Sequence, residues 1–317
     1  MRDREGETRE AEGMSDAPED SPVAAPGPLV EVADLDDPRL DLYRDLNDPA
    51  SRIRRDTDQS VFVVEGRLAV SRLLTSRYTV RSLLVDDHQV VSASDLVATT
   101  RARGATIFVG SRALVAGTVG FALHRGVVAV ANRPSPTGAA SLLNDAAGTS
   151  DPERATPIVA IIEGLNDHQN IGALFRNAAA FGVSGVLLDP TCADPLYRRS
   201  IRVSVGHVLH LPFARVEPWP TGLHQVRAAG FVIAALTPRP AAGSKTPVVS
   251  LAELKALMSA SGHPVGLALL FGAEGSGLTD AALAASDVVV NIPMTDGVDS
   301  LNVATAAAVA FHALANF

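Results

Sequence analysis

Three stretches of the chain place chemically capable side chains in unusual company. The first is 166–183, NDHQNIGALFRNAAAFGV, directly behind the apolar run VAIIEG. On a helix starting after Asn170, Ile171, Leu174, Phe175 and Ala178 recur at i, i+3, i+4 and i+7 and face a core. The other face carries Gly172, Ala173, Ala179 and Ala180 around one cation, Arg176. Side chains that small permit close approach of another backbone, a ligand or a second subunit, with Arg176 projecting into the contact. The plainer alternative is a helix capped by Asn170 with an ordinary surface arginine.

The second stretch, GLALLFGAEGSGL (266–278), runs a buried strand into a turn with glycines at 272, 275 and 277. Such a turn exposes main-chain N–H and C=O groups and admits a flat ligand. No Gly-Lys-Ser/Thr follows, so it is not a P-loop, and Glu274 within it would repel a phosphate. The third stretch, NIPMTDGVDSLNVATAAAVAFHAL (291–314), ends a strand, passes through a polar loop and enters an alanine-rich helix capped by Asp299 or Ser300. Leu301, Ala304, Ala308 and Phe311 form that helix's expected packed stripe. A plain capped helix accounts for its later turns but not for the concentration of Met294, Thr295, Asp296, Ser300 and Asn302 ahead of it.

Positioning these segments requires strands that deliver them. From 157 onward, apolar runs at 158–164, 185–189, 210–216, 231–237, 266–272 and 288–293 alternate with helical patterns at 171–181, 222–229, 250–260, 279–286 and 300–315. Strands apolar throughout and alternating with helices predict an α/β fold with a parallel sheet covered on both faces. Open sheets of this kind bind ligands beyond the carboxyl ends of their strands. A smaller α/β domain is predicted over 41–133, with strands at 62–66, 82–86, 106–110 and 126–131. A Pro/Ser/Gly/Ala-rich linker with one short helix is expected over 134–156, and a disordered acidic tail over 1–40.

Net charge is −8, but residues 1–40 hold 12 acids against four arginines, which leaves 23 residues of each sign in 41–317. The folded part is therefore neutral, and a local basic face remains available for nucleic acid. Only Lys245 and Lys255 are lysines, so phosphate contacts would fall to arginine. A single cysteine, Cys192, excludes a disulfide framework and a multi-cysteine metal site. No apolar run reaches the roughly 18–20 residues of a membrane-spanning helix, and the acidic N-terminus is unlike a signal peptide. The expected location is the cytoplasm, without a membrane partner.

Taken in order, the three stretches resemble the SPOUT class of methyltransferases, specifically the TrmH/SpoU family. The matching residues are Asn170, Gly172 and Arg176 with Ala178–Gly182; Phe271–Gly275 with Gly277 and Leu278; and Ile292–Met294 with Ser300–Ala304. RRDTDQSVFVVEG (54–66) is similar to the start of the family's substrate-binding domain, so the likeness covers about 45–317. It implies a C-terminal domain threaded into a deep trefoil knot, a rare exception among folds, and a homodimer. It also implies S-adenosyl-L-methionine as cofactor, contacted at Gly272, Ala273, Ile292, Met294 and Leu301. The substrate implied is rRNA or tRNA, methylated on a ribose 2′-hydroxyl.

The same resemblance makes Asn170, Arg176, Glu274, Ser300 and Asn302 the catalytic set, with Arg176 completing the partner subunit's site. An arginine is a poor base, because its pKa lies above about 12. Arg176 is accordingly read as a phosphate clamp and charge stabiliser, with the proton acceptor left open. Arg52, Arg54, Arg55, Arg198, Arg199 and Arg202 are candidates for tracking an RNA backbone, or are solvated surface arginines. One departure is His207, where the family more usually has a small residue. Two alternatives remain: an RNA-binding protein of the same fold without methyltransferase activity, and a nucleotide-dependent oxidoreductase, which lacks the expected ribose-holding acid.

Overall fold

Strong β-formers alternate with helical repeats along most of the chain, and the computed structural model folds them into two sheets. It describes residues 25–53, 55, 58–123, 126–148, 156–238, 246–260 and 265–315. The first sheet contains β1 (Leu29–Glu31), β2 (Val61–Glu65), β3 (Val80–Asp86), β4 (Thr106–Gly110) and β5 (Val127–Asn132), in the order β1-β4-β3-β5-β2. β5 runs antiparallel to β2 and β3, and the remaining pairs are parallel. Helices α1 (Pro49–Ile53), α2 (Arg67–Leu74), α3 (Ser94–Ala102) and α4 (Arg112–Val119) belong to this half.

The second sheet contains β6 (Ile158–Glu163), β7 (Gly185–Leu188), β8 (Phe213–Arg215), β9 (Phe231–Leu236), β10 (Val248–Ser250), β11 (Gly266–Gly272) and β12 (Val288–Asn291). Its order is β10-β12-β9-β11-β6-β7-β8, and every pairing is parallel. The helices of this half are α5 (Ala139–Gly148), α6 (His168–Ala180), α7 (Arg198–Val203), α8 (His224–Ala228), α9 (Leu251–Ala260), α10 (Asp280–Ala284) and α11 (Val303–Leu314).

Both faces of the second sheet are covered, as its uniformly apolar strands require. Ile158, Ala160 and Ile162 point into a cluster with residues of α6, α9 and α11. Their neighbours Val159 and Ile161 point into another cluster, formed with α5, α8 and α10. The segment expected as a linker thus contributes a packed helix, because Leu142 and Leu143 of α5 supply an apolar face to the sheet.

Part of the expected disordered tail is also ordered. Leu29–Glu31 pairs with β4, while Val32 and Leu40 are buried, since Leu29, Val30, Val32 and Leu40 complete the first sheet's edge and core. Residues 1–24 lie outside the described residues.

The two sheets share one apolar cluster, in which Phe62 and Leu73 join Ile201 and Val208. Polar contacts fasten the same joint. Arg133 pairs with Asp194 at 2.7 Å, and Arg198 pairs with Glu65 at 3.0 Å. No described helix is long and apolar enough to cross a membrane.

Candidate active site

The carboxyl ends of the neighbouring strands β12, β9 and β11 open into a cavity of about 860 Å³. It is walled by the turn after β11, the loop between β12 and α11, and the end of β9. The turn is shaped by its glycines. Gly275 and Gly277 have φ of 87° and 68°, a region side chains with a Cβ avoid. A Cβ on Gly272 would lie 2.3 Å from the backbone of Gly277, so the turn closes only because that position is bare.

Gly272, Ala273, Ile292, Met294 and Leu301 all line this cavity, together with Glu274, Ser300 and Asn302. Asn170 and Arg176 do not. Asn170 nevertheless reaches its rim. The Asn302 amide donates to Asn170 Oδ1 at 2.9 Å and to Glu274 Oε1 at 2.6 Å. Its Oδ1 accepts from the backbone N–H groups of Ala304 and Thr305, at 3.0 and 3.2 Å. This side chain therefore caps α11 and cross-links all three stretches. Rotating the amide would set its oxygen against a carboxylate, so the orientation is fixed by the network.

Several local expectations are corrected by this geometry. Asn302, not Asp299 or Ser300, caps α11. Asp167, not Asn170, caps α6, whose helix begins three residues earlier than expected because Asp167 Oδ1 accepts from Gln169 N–H. The buried stripe of α11 is Val303, Ala304, Ala307, Ala310, Phe311 and Leu314, while Leu301 precedes the helix and is 39% exposed. Of the neighbours expected at Gly172, the one found is another backbone, that of α7 in the same chain. A Cβ there would sit 2.6 Å from the Ser200 carbonyl oxygen on α7.

Charge in the cavity has one sign. Glu274, Asp280 and Asp299 are its ionisable lining residues, and no Lys, Arg or His lines it among the described residues. Such a pocket attracts a cation and repels a phosphate.

Arg176 lies elsewhere, exposed on the outer face of α6, with no hydrogen bond or ion pair among the described residues. It lies close enough to His207 to act on the charge of that ring. His207 is half-buried, and its pKa is lowered by burial first and then by Arg72, Arg176 and His210. It follows Val205 and Gly206, whose φ values of 55° and 85° are left-handed. For the β-branched Val205 that conformation costs about 1–3 kcal/mol, and the Arg72 guanidinium holds it by donating to the Val205 carbonyl.

The expected RNA-tracking arginines divide by burial. Arg198 is internal: it pairs with Glu65, donates to Leu46 O and Asn47, and stacks on Phe121. Arg55 is buried at 7% exposure and donates to Arg44 O at 2.7 Å. Both expectations are corrected, because these guanidiniums are consumed by the fold. Arg199 and Arg202 are exposed, the latter 3.7 Å from Glu65. Arg52 lies 4.1 Å over the Tyr197 ring, and Arg54 falls outside the described residues.

Two features went unread in the sequence. The end of β9, Leu236–Pro238, lines the cavity; the rule that ligands sit at strand ends was a sufficient signal for it. Buried Glu163, at the end of β6, accepts from Trp219 Nε1 at 2.6 Å, Thr279 N–H at 2.9 Å and Thr279 Oγ1 at 2.7 Å. It thereby ties the end of the glycine turn to the neighbouring strand β6, and no local pattern announced it. Cys192 is inert, its thiol pushed up to about 12 by burial.

Known proteins share this arrangement. The family model described as SpoU rRNA Methylase family matches residues 157–312. An uncharacterized tRNA/rRNA methyltransferase of Mycobacterium bovis is 44% identical over 283 residues, 89% of this chain and 90% of that protein. A 23S rRNA (guanosine-2′-O-)-methyltransferase of Vibrio vulnificus is 29% identical over 157 residues, 50% of this chain and 58% of that one. Among solved structures, an AdoMet-bound rRNA methyltransferase from Sinorhizobium meliloti superposes with a TM-score of 0.69 at 23% identity, covering 90% of this chain and 97% of that chain. The SpoU methyltransferase AviRb from Streptomyces viridochromogenes, in complex with AdoMet, gives 0.68 at 24%, covering 88% and 98%. With a relative this similar over nearly its whole length, and three strand-end motifs meeting at one cavity, the chain belongs to the SpoU rRNA methylase family of RNA methyltransferases.

Proposed function

We propose that the protein transfers a methyl group from S-adenosyl-L-methionine to a ribose 2′-hydroxyl of rRNA or tRNA. The observation that carries this reading is the Asn170–Asn302–Glu274 network at the mouth of a glycine-walled cavity. The cavity suits the cofactor in size. It also suits it in charge: three carboxylates and no cation among the described residues favour a sulfonium and disfavour a phosphate-bearing dinucleotide, which weighs against the oxidoreductase alternative. Gly272, Ala273, Ile292, Met294 and Leu301 would hold it through main-chain and apolar contacts. When bound, it supplies an already activated methyl group.

The protein's own task is then alignment. Holding the hydroxyl oxygen in line can lower the barrier by about 7–11 kcal/mol. Ser300 orients the ribose, while Asn302, held by Asn170, fixes the Glu274 carboxylate at the cavity mouth. Among the described residues the site has no cation for the RNA phosphate, and Arg176 is a cation with no hydrogen bond or ion pair. We therefore assign Arg176 to the cavity of a second subunit in a homodimer. Val298, Leu301 and Val309, all exposed, offer apolar surface for that contact. The fold is assigned the family's trefoil knot. Late-arriving β11 lies between the earlier strands β6 and β9, and alanines of α11 allow it to pack closely on α6. The first half, with Arg52, Arg199 and Arg202 near the joint, is assigned to RNA binding, and the protein to the cytoplasm.

The deciding experiment is transfer of labelled methyl from S-adenosylmethionine to separated rRNA and tRNA, followed by mapping of the modified nucleotide. Label on a 2′-oxygen is the expected result. Label on a base would overturn the ribose assignment. Cofactor binding without any transfer would favour an RNA-binding protein of the same fold.

A further inference from the structure

We infer that the groove beside Trp219 receives an unstacked guanine of the RNA, flanking the ribose that is methylated. The inference rests on the reading above, that RNA is the substrate. Asp189, Pro190 and Thr191, at the carboxyl end of β7, line the groove together with Glu217, Pro218 and Trp219, which follow β8. Strand β6 separates it from the cavity at the ends of β12, β9 and β11. The wall between them is thin. Gly164, just past β6, donates its N–H to Asp189 Oδ2 at 2.9 Å on the groove side. A Cβ on the same glycine would stand 3.4 Å from Ala273 Cβ on the cavity side. One single-stranded segment of RNA can therefore reach both.

Trp219 is the chain's single tryptophan, and it is held rigidly. It packs, half-buried, against the apolar cluster formed with α5, α8 and α10. Its Nε1–H is spent on the buried Glu163 carboxylate at 2.6 Å, which fixes the plane of the indole. The loop carrying it is closed by Gly222 N–H donating to Pro218 O at 2.6 Å and Leu223 N–H donating to Pro220 O at 2.9 Å. The ring surface left in the groove is thus a fixed apolar platform, and splayed-out bases of single-stranded RNA stack on such rings.

Charge selects a base over a phosphate. Asp189 and Glu217 are the ionisable residues of the groove, and no Lys, Arg or His lines it among the described residues. Asp189 is consumed by the fold, accepting from the N–H groups of Gly164, Thr191 and Cys192 and from the Thr191 hydroxyl. Glu217 is exposed and makes no side-chain hydrogen bond or ion pair among the described residues. A carboxylate repels phosphate but accepts from base N–H groups. Guanine presents N1–H and N2–H side by side on its Watson–Crick edge, matching the paired oxygens of one carboxylate. Adenine and cytosine offer there an amino group without a ring N–H, and uracil a ring N–H without an amino group.

The test uses the intrinsic fluorescence of the full-length protein, which reports on this one indole. Total rRNA or total tRNA, added with and without S-adenosylmethionine, should quench the emission saturably and shield it from acrylamide. Among short uridine oligonucleotides carrying a single guanine, adenine, cytosine or hypoxanthine, the guanine one should bind tightest, and Glu217→Gln should reduce its lead about 10-fold or more. Trp219→Ala should weaken RNA binding about 10–100-fold by filter binding, and Trp219→Phe should restore most of that loss. Unchanged emission with RNA bound, or no preference for guanine, overturns the inference. Loss of cofactor affinity in Trp219→Ala with RNA affinity intact also overturns it, making the ring a buttress of the glycine turn through Glu163 and Thr279. Methyl transfer with unchanged emission defeats the groove alone. Quenching by RNA without any transfer sustains the groove and defeats the enzymatic reading, and failure to bind RNA at all defeats both.

Discussion

The cavity and the outer face of α6 are opposites in both charge and completeness. The cavity holds three carboxylates and no described cation, and its central amide uses both N–H groups and its oxygen within the chain. On the outer side Arg176, Arg72 and His210 all act on the charge of His207, and Arg176 makes no hydrogen bond or ion pair among the described residues. A pocket for a cationic cofactor is best without other cations, whereas a grip on RNA phosphates needs them. Placing the two on separate surfaces resolves the conflict, and under the function proposed above a second copy of the chain would bring them together.

The largest expected effect falls on the lone guanidinium. Arg176→Ala should reduce methyl transfer by at least about 100–1,000-fold with cofactor affinity nearly intact by calorimetry. If affinity fell in parallel, the separation of the two surfaces would be wrong. Arg198→Ala tests the contrast between spent and available arginines. It leaves Glu65 only 15% exposed with the distant Arg202 as its cation, and should lower stability by about 3 kcal/mol in chemical denaturation. Its salt dependence of RNA binding should stay at the wild-type slope.

Gly172→Ala asks whether the small residues of α6 serve an inner or an outer neighbour. A methyl 2.6 Å from the Ser200 carbonyl should cost about 1–3 kcal/mol in thermal unfolding. A dimer defect with unchanged monomer stability would reassign this glycine to the subunit contact. The smallest change is expected from Arg199→Ala or Arg202→Ala. Each should shallow the slope of log affinity against log salt by about 0.7–0.9, measured by filter binding, because both side chains are exposed.

Much of the second half was legible because its signals are local and redundant. VAIIEG, FVIAALT and GLALLFG are too apolar to be anything but strands buried on both faces, and β11 matches its expected bounds of 266–272. Boundaries failed where two residues competed for one role. Asp167 and Asn170 both suit a helix cap, as do Asp299, Ser300 and Asn302. The decision fell to which side chain tertiary packing left facing the free N–H groups. β1 and β10 were missed because each is only three residues long, too short for a periodicity to declare itself.

By itself, then, the sequence determined the elements, the parallel arrangement of the second sheet and the identity of the side chains at its strand ends, since these follow from repeats a few residues long. Only tertiary structure decided which arginines are consumed and that Asn302 joins Asn170, 132 positions away, to its own helix cap. A guanidinium reads the same in a sequence whether it ends on a buried glutamate or in water. The difference lies in the desolvation it undergoes and the partner it meets, and both are properties of space rather than of sequence order.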